Sequence, residues 1–192
     1  MWYSAVKGGP VGTAREVLLD RVMADVSANG IADRSLRDVA TSIGSSHRML
    51  LFHFGSREEL VAAIVERVEA QERQTFRELA ARHSRADALV RALWAHVSSV
   101  PMRPFVRLFF EAVVYRAGTG DTLTGPWLDD VESAAEVLGR TSDPVAIRLG
   151  VAVVRGLLID VLATGDVGPA TESLERFLSM WRPASQGRAR RT

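Results

Sequence analysis

An all-α fold is predicted for this 192-residue chain by three observations. Apolar residues recur at i, i+3, i+4 and i+7 through most of the sequence, the spacing that lines one face of a helix. Four pairs of a hydroxyl residue and an acid three places on stand just before such stretches, as helix N-termini favour. No stretch alternates apolar and polar residues as a half-buried strand does, and no internal repeat is visible. The length suits one helical domain of ordinary size, or a small domain attached to a larger one. A chain of this size buries well over half of its unfolded surface, so it needs no covalent staple.

Nine helices follow in order. The first spans residues 13–29, with Thr13 and Glu16 as capping box, Gly30 as stop, and Leu18, Leu19, Val22, Met23 and Val26 as apolar face. Ser35 with Asp38 opens a short second helix carrying Leu36, Val39, Ala40 and Ile43, ended by Gly44. A third short helix covers residues 46–53. Ser56 with Glu59 starts a long fourth helix bearing Leu60, Val61, Ile64, Val65, Val68 and Leu79. Ser84 and Asp87 mark the fifth, with Leu89, Leu93 and Val97 behind them. Pro101 and Pro104 interrupt the chain before a sixth helix over residues 104–117. Residues 118–125, rich in Gly and Thr, read as a mobile loop. Pro126 begins the seventh helix, to about 139, and Asp143 with Pro144 caps the long apolar eighth, to 163. The ninth, residues 169–181, places Leu174, Phe177, Leu178 and Trp181 on one stripe.

Composition excludes several classes of function. With no cysteine there is no disulfide, thiolate zinc site or cysteine nucleophile. His47, His53, His83 and His96 have no metal-ligand spacing, so neither metal nor cofactor is expected. No phosphate-binding glycine loop or nucleophile elbow appears, which argues against an enzyme. Residues 1–12 hold one lysine and no apolar run, so no signal peptide is expected. The most apolar stretch, 145–162, carries Arg148, Arg155 and Asp160, too many charges for a membrane span. A soluble cytoplasmic protein with no membrane partner is the expectation. The net charge is +1, but four arginines fall in the last eleven residues, leaving −3 for the remainder. Such a body does not coat nucleic acid by bulk charge; a local basic patch would have to do that work.

The second and third helices have the spacing of a helix-turn-helix. Ala40 is small where two helices cross, Gly44 tolerates the positive φ of the turn, and Leu50 supplies the inward anchor six residues later. An ordinary helical hairpin also favours glycine in its turn, so spacing alone leaves both readings open. The full stretch from Ser35 to Leu60, SLRDVATSIGSSHRMLLFHFGSREEL, resembles the signature of the TetR family of bacterial transcriptional regulators. That resemblance implies a three-helix DNA-binding unit, a long connecting helix and a variable helical C-terminal domain. It implies a homodimer whose recognition helices, residues 46–53, enter successive major grooves of a palindromic operator. A small effector bound in the C-terminal domain would relieve repression. The domains would be a flexible arm (1–12), a DNA-binding domain (13–58), a ligand-binding and dimerisation domain (59–182) and a disordered basic tail (183–192). Ser45 stands where the family usually has an apolar residue, and Leu51 where it has a tyrosine that packs on the sugar-phosphate backbone. Phe52 is the aromatic left to take that contact.

Individual residues carry definite expectations. Ser35 either donates to a phosphate from a helix N-terminus or only caps its helix. Ser46, His47 and Arg48 lead the recognition helix, and Arg48 suits a bidentate contact to guanine or a phosphate contact. His53 and Arg57 match family positions that touch the DNA backbone. Residues 13–58 hold six arginines against six acids, so affinity rests on geometry and on both half-sites together. Trp94, Phe105, Phe109, Tyr115 and Trp127 gather in the central helices, where the resemblance places a hydrophobic effector; each is equally a core residue. Glu111 either faces that pocket or pairs with Arg107 on the surface, the plainer reading. Val154, Leu157, Leu158 and Val161 of helix eight and Leu174, Phe177, Leu178 and Trp181 of helix nine are expected at a two-fold four-helix interface, with Gly150 and Gly156 permitting close approach. A competing reading is a helical enzyme or small-molecule carrier whose N-terminal unit binds a partner protein.

Overall fold

The computed structural model describes residues 13–31, 34–115, 125–138 and 143–181. Among them are nine α-helices, one 3₁₀ turn at Val100–Met102 and no strand. The helices are α1 (Ala14–Asn29), α2 (Leu36–Ser42), α3 (His47–Phe54), α4 (Arg57–Arg82), α5 (Ala86–Val97), α6 (Arg103–Tyr115), α7 (Gly125–Val137), α8 (Pro144–Thr164) and α9 (Gly168–Met180). The expected arm, basic tail and 118–125 loop lie outside the described residues, except that Gly125 already belongs to α7.

Local chemistry sets the helix boundaries. The Thr13 and Ser35 side chains each accept from the amide three residues on, while Glu16 and Asp38 accept from the amides of Thr13 and Ser35. Both capping boxes are therefore complete. Asp143 accepts from the amides of Val145 and Ala146 at 3.0 and 3.2 Å and, with Pro144, starts α8. The start of α5 differs from expectation. Arg85, not Ser84, occupies its N-cap and gives no side-chain cap. The Asp87 carboxylate is instead held by Arg85 and Arg91 at 2.9 and 2.7 Å, which keep it well below the usual carboxylate range.

The chain forms two compact units, residues 1–70 with 104–115, and residues 71–103 with 116–192. This division does not fall at residue 58. In the first unit α4 contributes Leu60, Val61, Ala63, Ile64 and Val65 to a core that also contains Leu19, Val22, Met23, Val26, Val39, Leu50 and Phe54. Truncating the unit at 58 would remove those five side chains and uncover the core beneath them. A crease of about 10 Å³ between α4 and α6, lined by Ile64, Val65, Val68, Phe105, Leu108 and Phe109, has room for one water at most.

In the second unit α7 and α9 pack on α8. Phe76, Leu89 and Ala134 form a buried cluster covered by Leu79, Leu93, Trp127 and Val131. The Trp94 indole donates to the Thr171 hydroxyl at 2.8 Å, and Arg91 grips both oxygens of Glu175 at 2.7 and 2.9 Å, tying α5 to α9. Gly150 lets the Trp181 ring lie close to α8: a Cβ there would stand 2.8 Å from the ring and push it aside. On α8 the buried stripe is Ile147, Gly150, Leu158 and Val161. The opposite stripe, Val145, Leu149, Ala152, Gly156 and Ile159, is exposed.

Candidate nucleic-acid interface

Helix α3 is fixed from behind and at both ends. Leu50 and Phe54 are buried, and Val39 and Ala40 of α2 are buried in the same unit. The turn between α2 and α3 closes where the Ser45 amide donates to the Ala40 carbonyl at 2.8 Å. Gly44 has φ +65°, a left-handed conformation that side chains resist. Ser46 caps α3 by accepting from the Met49 amide at 3.2 Å. At the far end the Arg15 guanidinium lies 5.0 Å from the centre of the Phe54 ring and donates to the His53 carbonyl at 3.3 Å.

With Leu50 and Phe54 turned inward, helical geometry turns Arg48 and Phe52 outward, one turn apart. Met49 and Leu51 flank them. All four are exposed, Phe52 at 78% of its surface. The Phe52 ring meets His53 edge-on at 5.0 Å between centroids. His47, His53 and Ser45 are half-buried at the margins, and Ser46 is exposed. The outward face of α3 is thus one guanidinium set among three large apolar side chains.

Two expected phosphate contacts have partners within the chain. The Ser35 hydroxyl donates to Asp38 at 2.6 Å, and with the Ser35 amide it lowers the Asp38 carboxyl below its ordinary pKa. Capping accounts for Ser35. Arg57 is half-buried and donates to the carbonyls of Arg34 and Ile31 at 3.0 and 3.2 Å, clamping the segment between α1 and α2 to the start of α4. These partners lie 23 and 26 residues away, so spacing along the chain does not show them.

Asp25 went unremarked in the sequence. It accepts from Asn29 at 2.7 Å, from Arg34 at 2.6 Å and from the Ser42 hydroxyl. Burial opposes its ionisation, yet the bonds from Ser42, Arg34 and Asn29 prevail and hold its pKa below the ordinary value. It joins α1 to the end of α2. Only the Asp25–Asn29 spacing of i, i+4 hinted at this.

The expected effector and interface residues divide differently from their sequence grouping. Trp94 is buried and Trp127 packs edge-on against Phe76 at 6.0 Å, both in the second unit. Phe105, Phe109 and the exposed Glu111 belong to the first, while the Tyr115 side chain lies outside the described residues. Leu158, Val161 and Leu174 are buried within the single chain, at 9, 2 and 0% exposure, because α8 and α9 pack on each other. These three are corrected from interface to core. Trp181 lies against Gly150 and stacks on Phe177 at 5.0 Å, so it too is partly covered by its own chain. Val154, Leu157, Phe177 and Leu178 are half-buried.

The class defined by these features is a helix-turn-helix unit joined to a helical second unit, the fold of TetR-family transcriptional regulators. A TetR-family regulator from Pectobacterium atrosepticum matches with TM-score 0.74 at 17% identity, over 92% of this chain and 95% of that one. The fatty acid degradation regulator FadR of Bacillus halodurans matches with TM-score 0.65 at 9% identity, over 88% and 96%. SmeT, the repressor of the Stenotrophomonas maltophilia multidrug efflux pump SmeDEF, matches with TM-score 0.60 at 22% identity, over 92% and 97%. No protein-family model and no curated protein matches the chain. No helix among the described residues is long and apolar enough to cross a membrane.

Proposed function

We propose that this chain belongs to the TetR family and is a DNA-binding transcriptional regulator. It acts as a homodimeric repressor on a palindromic operator and is released by a small hydrophobic effector. The observation that carries this reading is the outward face of α3, supported from behind by Leu50 and Phe54 and led by Arg48. A short capped helix held this way is the reading element of a helix-turn-helix. Ser45, Ser46, His47, Arg48, Phe52 and His53 are the residues assigned to DNA, and Arg48 is the one suited to guanine.

Dimerisation is assigned to the exposed stripe of α8, Val145, Leu149, Ala152, Gly156 and Ile159, joined by Met180 of α9. A Cβ at Gly156 would meet nothing within 4 Å inside the chain, so that glycine leaves room for a second backbone. A homodimer that reads a palindrome needs its two recognition helices about one turn of DNA apart or somewhat more. The effector is assigned to the second unit, which carries Trp94 and Trp127. Two fold neighbours, a fatty acid degradation regulator and an efflux-pump repressor, have names consistent with apolar effectors. Protein with a chromatographically sized dimer should be mixed with sheared DNA from its own genome and the retained fragments sequenced. Enrichment of one palindromic site supports the reading; uniform recovery of all fragments refutes it.

A further inference from the structure

Resting on the DNA-binding reading above, we infer that Met49 and Phe52 are sequence-reading residues that recognise thymine methyl groups. Each operator half-site then pairs a guanine, bound by Arg48, with a thymine about two base pairs away. Among Arg48, Met49, Leu51 and Phe52, only Arg48 can donate a hydrogen bond. The major-groove edge of a base pair is otherwise polar, and the thymine C5-methyl is its one apolar group. Large apolar side chains pressed against amino groups or carbonyl oxygens would desolvate them without return.

Phe52 is too exposed for a core role, at 78%, and its ring is braced edge-on by His53, so it is presented rather than packed. Geometry fixes the spacing. Four residues of helix advance about 6 Å, while successive bases on one strand lie about 3.4 Å apart. Phe52 therefore meets the DNA about two steps from Arg48. Met49, flexible and exposed on the same side as Phe52, covers a neighbouring methyl.

The test uses duplexes selected from a randomised library by the full-length protein. Each thymine of the enriched half-site is then replaced by deoxyuridine, which removes only the methyl and keeps the hydrogen-bonding edge. We expect a guanine with a thymine about two base pairs away. Deoxyuridine there should weaken binding roughly fourfold, the worth of one buried methyl. Phe52→Ala, with unchanged circular dichroism, should bind the thymine duplex more weakly and become indifferent to deoxyuridine; Met49→Ala should do the same at the adjacent position. Selected half-sites without thymine, or a deoxyuridine cost below twofold at every position, would overturn the inference while leaving the regulator reading intact. A library that enriches no sequence overturns that reading and this one together.

Discussion

Helices α3 and α8 each bury one stripe of side chains and leave a mostly apolar stripe facing out. On α3 the exposed stripe is Arg48, Met49, Leu51 and Phe52; on α8 it is Val145, Leu149, Ala152, Gly156 and Ile159. The difference lies in size and charge. The α3 stripe projects long side chains with a guanidinium at its N-terminal end, which suits the edge of a polyanion. The α8 stripe is built around Ala152 and Gly156, which let another helix approach closely, and its flanking charges, Arg148 and Asp160, have opposite sign. Apolar exposure alone does not name a partner. The shape of the stripe and its single fixed charge do.

The sharpest way to break that comparison is to place one charge on either side of α8. Leu158→Glu puts a carboxylate in a site only 9% exposed and should cost about 4 kcal/mol or more, seen as a large fall in melting temperature or insoluble protein. Ile159→Glu, one residue on and 52% exposed, should leave the secondary structure intact and convert the dimer to monomers by analytical ultracentrifugation. A well-folded Ile159→Glu dimer would move the interface off this stripe.

Next in size is Asp25, which supports α3 indirectly by joining α1 to α2. Asp25→Ala leaves Arg34 and Ser42 without their acceptor and should destabilise the protein by about 2–3 kcal/mol in urea titration. Because the folded pKa is depressed, the carboxylate contributes its stability above the unfolded value of 3.8. That contribution is lost as pH falls below 3.8 towards the folded pKa. The variant should lack that part of the acid slope.

Arg48→Ala sharpens the other side of the comparison. It should weaken operator binding by roughly 1–3 kcal/mol and relax preference at one base pair per half-site, with no change in melting temperature. Equal weakening on random DNA would reduce Arg48 to a phosphate contact. Gly44→Ala, at φ +65°, should cost about 1–2 kcal/mol of stability by melting. It should weaken operator binding only as far as the turn shifts α3.

The two helices also differ in how far the sequence disclosed them. The signals that disclose α3 are local: Ser35 and Ser46 cap, Gly44 turns, Leu50 anchors, all within sixteen residues, although Arg15 and Asp25 also brace the unit from α1. Periodicity reads such signals directly. Helix α8 is apolar nearly all round, so periodicity finds the helix but not which stripe faces inward. The stripe named for the interface included Leu158 and Val161, which α9 and the body of the second unit cover. The intrachain roles of Arg57 and Asp25 were not legible for the related reason that their partners are remote or polar. Likewise the N-cap of α5 falls at Arg85, and Asp87 pairs with Arg85 and Arg91. The effector residues were grouped by sequence neighbourhood, and the units separate Trp94 and Trp127 from Phe105 and Phe109.

If the outward face of α3 reads duplex DNA, a salt titration will show it. Affinity for the selected palindrome and for a scrambled duplex of equal length would be measured by fluorescence anisotropy from 50 to 300 mM salt. The account predicts that log affinity falls linearly with log salt for both duplexes. The palindrome should be favoured by at least roughly a thousandfold throughout, with that margin reduced by Arg48→Ala. Equal affinity for the two duplexes at every salt concentration, or a margin untouched by Arg48→Ala, would contradict it.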